Sequence, residues 1–201
     1  MKAPGTVGRN SKMTRIHIIG PHASGKSTLA YCIGTRVGVP VYSLDDLAFD
    51  VSPLGGVPQL RPLAARLSET GRIAAGPTWV TEGTYLRWTR DLLDAADLVI
   101  WLDVPWRVAA WRILSRHVHT ELRLTRHPHT LTMVRQFWRT VRYYRDPTVL
   151  DLLAPDERVN RATTAQRLAP YAEKTTRLRA TSEVDALVER LALLPARTFE
   201  K

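Results

Sequence analysis

The chain has 201 residues, of which 44% are hydrophobic and 24% are charged. This composition suits one compact domain with a buried core, and it excludes a disordered or collagen-like chain. No apolar run approaches the roughly 18 residues of a membrane-spanning helix, and the single cysteine, Cys32, excludes an internal disulfide. The N-terminus has basic residues but no apolar signal segment, so we expect a cytoplasmic protein with a flexible leader at 1–13 and one domain at 14–201.

The charge balance favours anionic partners. The 29 Lys and Arg residues exceed the 19 Asp and Glu residues, which gives a net charge of +10. Nucleotides, phosphates and nucleic acid are the partners that such a balance favours. Only five of the 29 are lysines, however, and an arginine-rich composition can also reflect codon usage. Charge alone therefore does not make nucleic acid the favoured partner.

Short apolar strands alternate with helical segments along the chain. We predict strands at 15–19, 39–43, 78–82, 98–104 and 175–179. We predict helices at 27–37, 60–73, 85–95, 105–117, 130–145, 162–173 and 182–194. Because this alternation requires a parallel sheet that is covered on both faces, the expected fold class is a three-layer α/β sandwich.

The strongest motif lies between the first predicted strand and the first predicted helix. Its letters, GPHASGKS, match G-x-x-x-x-G-K-[ST] in full. Glycines let the backbone wrap so that its N–H groups point at phosphates, Lys26 reaches the β- and γ-oxygens, and Ser27 supplies a hydroxyl to Mg²⁺. The motif therefore predicts ATP and Mg²⁺ as cofactors. The predicted ATP-binding residues are Gly20, Pro21, His22, Ala23, Ser24, Gly25, Lys26, Ser27 and Thr28.

The rest of the chain narrows the class of P-loop protein. An N-K-x-D string, which a GTPase uses to read guanine, does not occur, and helicases and transporter ATPases are usually longer. The remaining layout is that of a small kinase. In such a kinase the phosphate loop follows the first strand, acceptor-binding elements lie in the middle, and an arginine-rich lid comes near the end.

Carboxylates follow the second and third predicted strands, at the edge of the sheet where open α/β folds bind ligands. Asp45 and Asp46 follow the second strand, and a carboxylate there can orient an acceptor hydroxyl and take its proton. We assign this role to Asp45, with a slight preference over Asp46; the alternative is that Asp45 caps the next helix. Glu82 ends the third strand and could hold Mg²⁺ through water or act as the base. Asp103 is interpreted mainly as a turn or N-cap residue.

Arginines cluster in a predicted lid at about 112–130. We expect Arg112 to bind ATP, and Arg116, Arg123 and Arg126 to clamp the transferring phosphoryl group, because arginines that close over its oxygens lower the barrier. The alternative for any one of them is a solvated basic face. Weaker candidates beside the predicted cleft are Arg61, Arg66 and Arg87 for the acceptor, and Trp88, Trp106 and Trp111 for stacking, although packing is favoured for the tryptophans.

Several segments carry a resemblance to a known family: GPHASGKSTLA, the stretch 44–47, TWVTEGTYLRW, ADLVIWLDVP and SEVDALVERL. Together they resemble the small adenylate-kinase-like P-loop proteins that are described as DNA topology modulation proteins. The resemblance implies a five-stranded parallel sheet in the order 2-3-1-4-5 and a mobile lid. The family's usual Asp-Gly-Asn-Tyr stands here as Glu-Gly-Thr-Tyr at 82–85, and the Asp-Gly-Phe-Pro-Arg of adenylate kinase is absent.

These observations together predict an ATP- and Mg²⁺-dependent phosphotransferase. Its acceptor would be a small hydroxyl- or phosphate-bearing molecule, with a nucleoside or nucleotide favoured. One alternative is a nucleic-acid-linked ATPase or polynucleotide-end kinase that uses the basic helix at 135–145 as its binding surface. Another is a secondary-metabolite or antibiotic kinase on the same fold. Nucleic acid is thus a possible partner but not the favoured one, no membrane partner is expected, and the oligomeric state is not predicted.

Overall fold

The computed structural model describes residues 15–50, 58–121 and 159–192, together with helical positions at 138, 140, 141, 143 and 144. For 115–121 and 191–192 it describes the helical backbone alone. The predicted leader at 1–13 lies outside the described residues. In this part of the chain, no helix combines the length and apolar character needed to cross a membrane.

Five strands form one parallel sheet, and two short strands form a separate hairpin. The strands are β1 (Arg15–Ile19), β2 (Val41–Ser43), β3 (Phe49–Asp50), β4 (Gln59–Leu60), β5 (Trp79–Gly83), β6 (Leu98–Leu102) and β7 (Thr175–Leu178). The sheet order is β2-β5-β1-β6-β7, with every neighbouring pair parallel. When the five sheet strands are counted along the chain this is the order 2-3-1-4-5, so the predicted topology is confirmed.

Helices cover both faces of the sheet. They are α1 (Lys26–Val37), α2 (Leu44–Ala48), α3 (Leu63–Ala74), α4 (Arg90–Ala95), α5 (Trp106–Glu121), α6 (Arg161–Leu168) and α7 (Thr181–Ala192), with a 3₁₀ helix at Ala169–Lys174. One core cluster includes Ile16 and Ile18 of β1 with Leu187 of α7, and the other includes Ile19 with Leu92 of α4. Because β1 contributes alternate residues to the two clusters, the sheet is the middle layer. The three-layer α/β prediction is confirmed.

The prediction of a helix at 85–95 is wrong over its first half. Residues 85–89 are irregular, and α4 begins only at Arg90. Two threonine hydroxyls hold this segment: Thr89 Oγ1 donates to the Tyr85 carbonyl at 3.0 Å, and Thr70 Oγ1 donates to the Trp88 carbonyl at 3.0 Å. Threonine hydroxyls thus donate hydrogen bonds to backbone carbonyl groups near both ends of the irregular segment.

Two other helix boundaries also differ from prediction, and a proline lies at each. The helix predicted at 60–73 begins at Leu63, directly after Pro62, which is its N-cap. The helix predicted at 162–173 ends at Leu168 and continues as a 3₁₀ helix that contains Pro170 and the non-helical Tyr171. Proline has no amide hydrogen to donate, so it is tolerated in a first turn but not inside an α-helix.

Candidate functional site

The loop between β1 and α1 has a backbone that few sequences can adopt. Ala23 and Gly25 have positive φ angles of 59° and 100°. A Cβ at Gly20 would lie 2.7 Å from the carbonyl oxygen of Leu102 at the end of β6. Glycine at positions 20 and 25 is therefore required by this close approach and by the left-handed backbone. The loop turns at the carboxyl ends of the central strands, where the sequence motif predicts phosphate binding.

Lys26 begins α1 and is largely buried, with 7% of its surface exposed. Its Nζ donates to the Pro21 carbonyl at 2.9 Å, so the side chain folds back over the loop. Burial lowers the pKa of Lys26, while the charges of Glu82 and Asp45 raise it. Glu82 lies at the end of β5 and Asp45 follows the neighbouring β2, so both belong to the same edge of the sheet as this loop.

Glu82 and Ser27 meet at the start of α1. Ser27 Oγ donates to Glu82 Oε1 at 3.0 Å, although the two residues are 55 positions apart in the chain. Burial raises the pKa of Glu82, whereas Lys26 and hydrogen bonds from Ser27 and Ser43 lower it. A hydroxyl and a carboxylate at this separation are hard oxygen donors, the type that Mg²⁺ prefers beside phosphate oxygens and water. The residues present therefore fit a Mg²⁺ ion.

Asp45 and Asp46 both lie at the start of α2, directly after β2. The N-cap of α2 is Ser43 and both aspartates lie in the first turn, so the alternative of Asp45 as the cap is wrong. The charge of Asp45 contributes to the pKa values of both Lys26 and Glu82, whereas that of Asp46 is not among the causes. The assignment of Asp45, rather than Asp46, to the acceptor stays a prediction.

Tyr85 was not among the residues singled out from sequence. Its hydroxyl donates to Asp45 Oδ1 at 2.8 Å, across 40 positions of the chain. The sequence signal that could have found it is the altered family string at 82–85, which ends in this tyrosine. The prediction of a helix at 85–95 gave Tyr85 no role other than that of the first helical residue.

Among the predicted lid arginines, Arg112 has its side chain at the phosphate loop. Arg112 Nη1 donates to the Ser24 carbonyl at 2.5 Å, and it would lie 3.1 Å from a Cβ at Gly25. Arg116 is one helical turn further along α5, where only the backbone is described. Arg123 and Arg126 lie outside the described residues.

Asp103 is not a turn or cap residue, and that interpretation is wrong. Its side chain is fully buried and accepts hydrogen bonds from Arg161, with a closest distance of 2.8 Å, and from Arg177. The Arg177 guanidinium also lies 4.1 Å from the centre of the Trp101 ring. A buried carboxylate needs such partners, and here they join β6, α6 and β7.

The remaining candidates are spread around the site. Arg66 is 2% exposed, and its guanidinium lies 5.6 Å from the ring centre of the fully buried Trp88. Arg61 Nε lies 3.5 Å from Asp50. Exposed side chains belong to Thr28, Arg87, Trp106 and Trp111. Trp88 therefore belongs to the core, as packing arguments favoured, while Trp106 and Trp111 do not.

No family model matches the chain, and no curated protein does. Among solved structures, it is similar to a gluconokinase from Sinorhizobium meliloti 1021, with 19% identity over 90% of each chain and a TM-score of 0.46. It is also similar to a shikimate kinase from Acinetobacter baumannii in complex with shikimate, with 13% identity over 91% of this chain and 93% of that chain and a TM-score of 0.47. Similarity at this level does not identify an activity or a substrate.

Proposed function

We propose that this chain is an ATP- and Mg²⁺-dependent phosphotransferase that acts on a small acceptor, with a nucleoside or nucleotide favoured. The observation that carries the proposal is the hydrogen bond of 3.0 Å from Ser27 Oγ to Glu82 Oε1. Ser27 directly follows the buried Lys26 of the P-loop motif. An ammonium group and a hydroxyl from the start of α1 and a carboxylate from the end of β5 lie where the motif predicts the phosphates. Such a set has the charges needed to hold a metal-bound triphosphate.

ATP binding is assigned to the loop and α5. The loop amides and Lys26 would hold the β- and γ-phosphates, and Arg112 would add a positive charge from above the loop. Ser27 and Glu82 would hold Mg²⁺, directly or through water. When bound, the ion neutralises charge that develops on the phosphate oxygens.

The acceptor side is assigned to Asp45. Its carboxylate would orient an acceptor hydroxyl and take its proton as the hydroxyl oxygen bonds to the γ-phosphorus. The bond between that phosphorus and the oxygen bridging to the β-phosphate breaks, and ADP leaves. Asp46 and Glu82 remain the alternative bases. The lid arginines Arg116, Arg123 and Arg126 would clamp the transferring group.

The first prediction concerns Lys26. We expect Lys26→Ala to lower phosphoryl transfer by at least about a hundredfold, because it removes a charge that acts on the transferring group. The measurement is transfer of label from γ-labelled ATP with Mg²⁺ to nucleosides, nucleoside monophosphates, aminoglycosides, and RNA and DNA with 5′-hydroxyl ends. Arg36→Ala is the matched control, because it removes an exposed positive charge from the far end of the same helix.

Two outcomes of this experiment would change the proposal. Undiminished transfer by Lys26→Ala would contradict the assignment of the loop. Label found only on polynucleotide, with binding that weakens by orders of magnitude between low and moderate salt, would favour the nucleic-acid alternative. The basic helix predicted for that alternative at 135–145 lies mostly outside the described residues.

A further inference from the structure

We infer that Tyr85 is a positioning residue for the acceptor-binding carboxylate: its hydroxyl fixes the orientation of Asp45. This inference rests on the proposed function, and it deepens the account of the same site. The contact that carries it is the hydrogen bond of 2.8 Å from Tyr85 Oη to Asp45 Oδ1.

The tyrosine is the rigid partner of this pair. Its side chain is buried, with 6% exposed, and its ring centre lies 4.9 Å from that of Trp88 at an angle of 44°. Trp88 is itself fully buried, with the guanidinium of Arg66 beside its ring. A ring enclosed in this way cannot change rotamer without disturbing the core. The hydroxyl therefore has one position.

The backbone of the tyrosine is equally constrained. Thr89 Oγ1 donates to the Tyr85 carbonyl and Thr70 Oγ1 donates to the Trp88 carbonyl, so the irregular segment at 85–89 is bonded at two of its carbonyl groups. In a continuation of α4 back to residue 85, Tyr85 would occupy a helical position with a different side-chain direction. The hydroxyl reaches Asp45 from this irregular segment.

Asp45 is the exposed partner of the pair. It is exposed and belongs to α2, a helix of only five residues. An exposed aspartate normally samples several rotamers. Because a carboxylate is planar, a hydrogen bond to Oδ1 also directs Oδ2. The constraint therefore runs from the buried tyrosine to the exposed aspartate, and not in the opposite direction.

The orientation that the hydrogen bond from Tyr85 gives to the Asp45 carboxylate suits the proposed reaction. Asp45 lies in the first turn of α2, which directly follows β2, and Ser43 at the end of β2 pairs with Glu82 at the end of β5. The carboxylate is therefore at the edge of the sheet that carries the phosphate loop. A base held at one place relative to the γ-phosphate gains from orientation, whereas a freely rotating one must be ordered at each turnover. A tyrosine that merely satisfied its own hydroxyl would not give this gain, and the two roles can be separated by experiment.

The test is a double-mutant cycle with Tyr85→Phe and Asp45→Ala. The transfer rate is measured with the acceptor that the labelled-ATP panel identifies, or with water as acceptor if the panel labels none. We expect Tyr85→Phe to lower kcat about tenfold, with the KM for ATP unchanged, because it removes one hydrogen bond to a charged group. In the Asp45→Ala background the same change should have no further effect, since alanine has no oxygen to accept the hydrogen bond from Tyr85.

Controls separate this role from a structural one. Phenylalanine retains the ring against Trp88, so the melting temperature of Tyr85→Phe should stay within about 3 °C of wild type. Tyr31→Phe removes a hydroxyl from a tyrosine that is 72% exposed on α1, and its rate should be unchanged. Unchanged kcat in Tyr85→Phe, or equal losses in both backgrounds, would overturn the positioning role.

The outcome also distinguishes this inference from the proposed function. Turnover that requires Lys26 but does not respond to Tyr85→Phe would leave the phosphotransferase standing and remove the positioning role. The absence of any turnover that depends on Lys26 would overturn the proposed function, and the inference with it.

Discussion

Two opposing effects act on the pKa of Glu82. Burial favours its neutral form and raises its pKa, while Lys26 and the hydroxyl of Ser27 favour the ionised form. A bound divalent cation would shift this balance towards the ionised form, because the cation compensates for the charge that burial removes from water. The environment is therefore better suited to a cation-bound Glu82 than to an isolated one.

This balance leads to a prediction for Glu82→Gln. Glutamine can still accept the hydrogen bond from Ser27 but carries no charge, so the Mg²⁺ concentration for half-maximal transfer should rise at least about tenfold. The measurement is a Mg²⁺ titration of the transfer rate at fixed ATP. Glu69→Gln, on α3 and paired with Arg72, is the matched control. An unchanged Mg²⁺ requirement would contradict a metal-holding role for Glu82.

At the scale of elements, Asp103 connects three parts of the fold at the end of β6. Arg161 is the first residue of α6 and Arg177 belongs to β7, and both donate to the buried carboxylate. Tyr143 adds a second connection: its hydroxyl accepts from Trp101 Nε1 at 3.2 Å and donates to Thr164 at 3.3 Å. Tyr143, α6 and β7, which follow the predicted lid in the chain, are thus all connected to the end of β6.

We expect Asp103→Asn to lower the free energy of unfolding by about 2 kcal/mol. The value is below the cost of breaking a fully buried pair, because both arginines are partly exposed and water can solvate them when the charge is lost. Urea unfolding measures the change, and Asp185→Asn on the exposed face of α7 is the control. A loss no larger than that of the control would show that the cluster contributes little to stability.

At the scale of the whole molecule, stability depends on a histidine at the centre of the sheet. His17 lies on β1, between β5 and β6, and its side chain is fully buried. Its Nδ1 shares a hydrogen bond of 2.8 Å with Thr81 Oγ1. Burial lowers the pKa of His17 to about 4, so the folded protein holds the ring neutral well below the usual histidine pKa.

The low pKa of His17 predicts a loss of stability in acid. In the unfolded chain the ring takes up a proton near pH 6.5, but in the folded chain only near pH 4. Between these values the unfolded state binds more protons, so the free energy of unfolding falls as the pH falls, by up to about 3 kcal/mol. Urea unfolding from pH 7 to 4 tests this, with His17→Asn as the comparison. An equally steep acid loss in that variant would contradict the role of His17.

Local patterns were sufficient for the fold class, and the order of the strands was implied by the family resemblance. The period of each strand and helix, the turn residues between them and the P-loop motif are properties of short segments, and with the family resemblance they led to the observed sheet order. The same patterns located Lys26, Ser27, Glu82 and Asp45 at strand ends or just after them, because parallel strands bring their carboxyl ends to one edge.

Tertiary structure decided what depends on contacts between distant segments. The contact between Tyr85 and Asp45, the irregular segment at 85–89 and the ion pairs of the buried Asp103 each involve hydrogen bonds that span 18 to 74 positions. Local propensity favours a helix at 85–89, but hydroxyls from α3 and from Thr89 satisfy its carbonyls in another conformation. The sequence by itself thus determined the scaffold and the chemical groups at its edge. Their orientation was set by packing, because a side chain's direction depends on neighbours that local periodicity does not record.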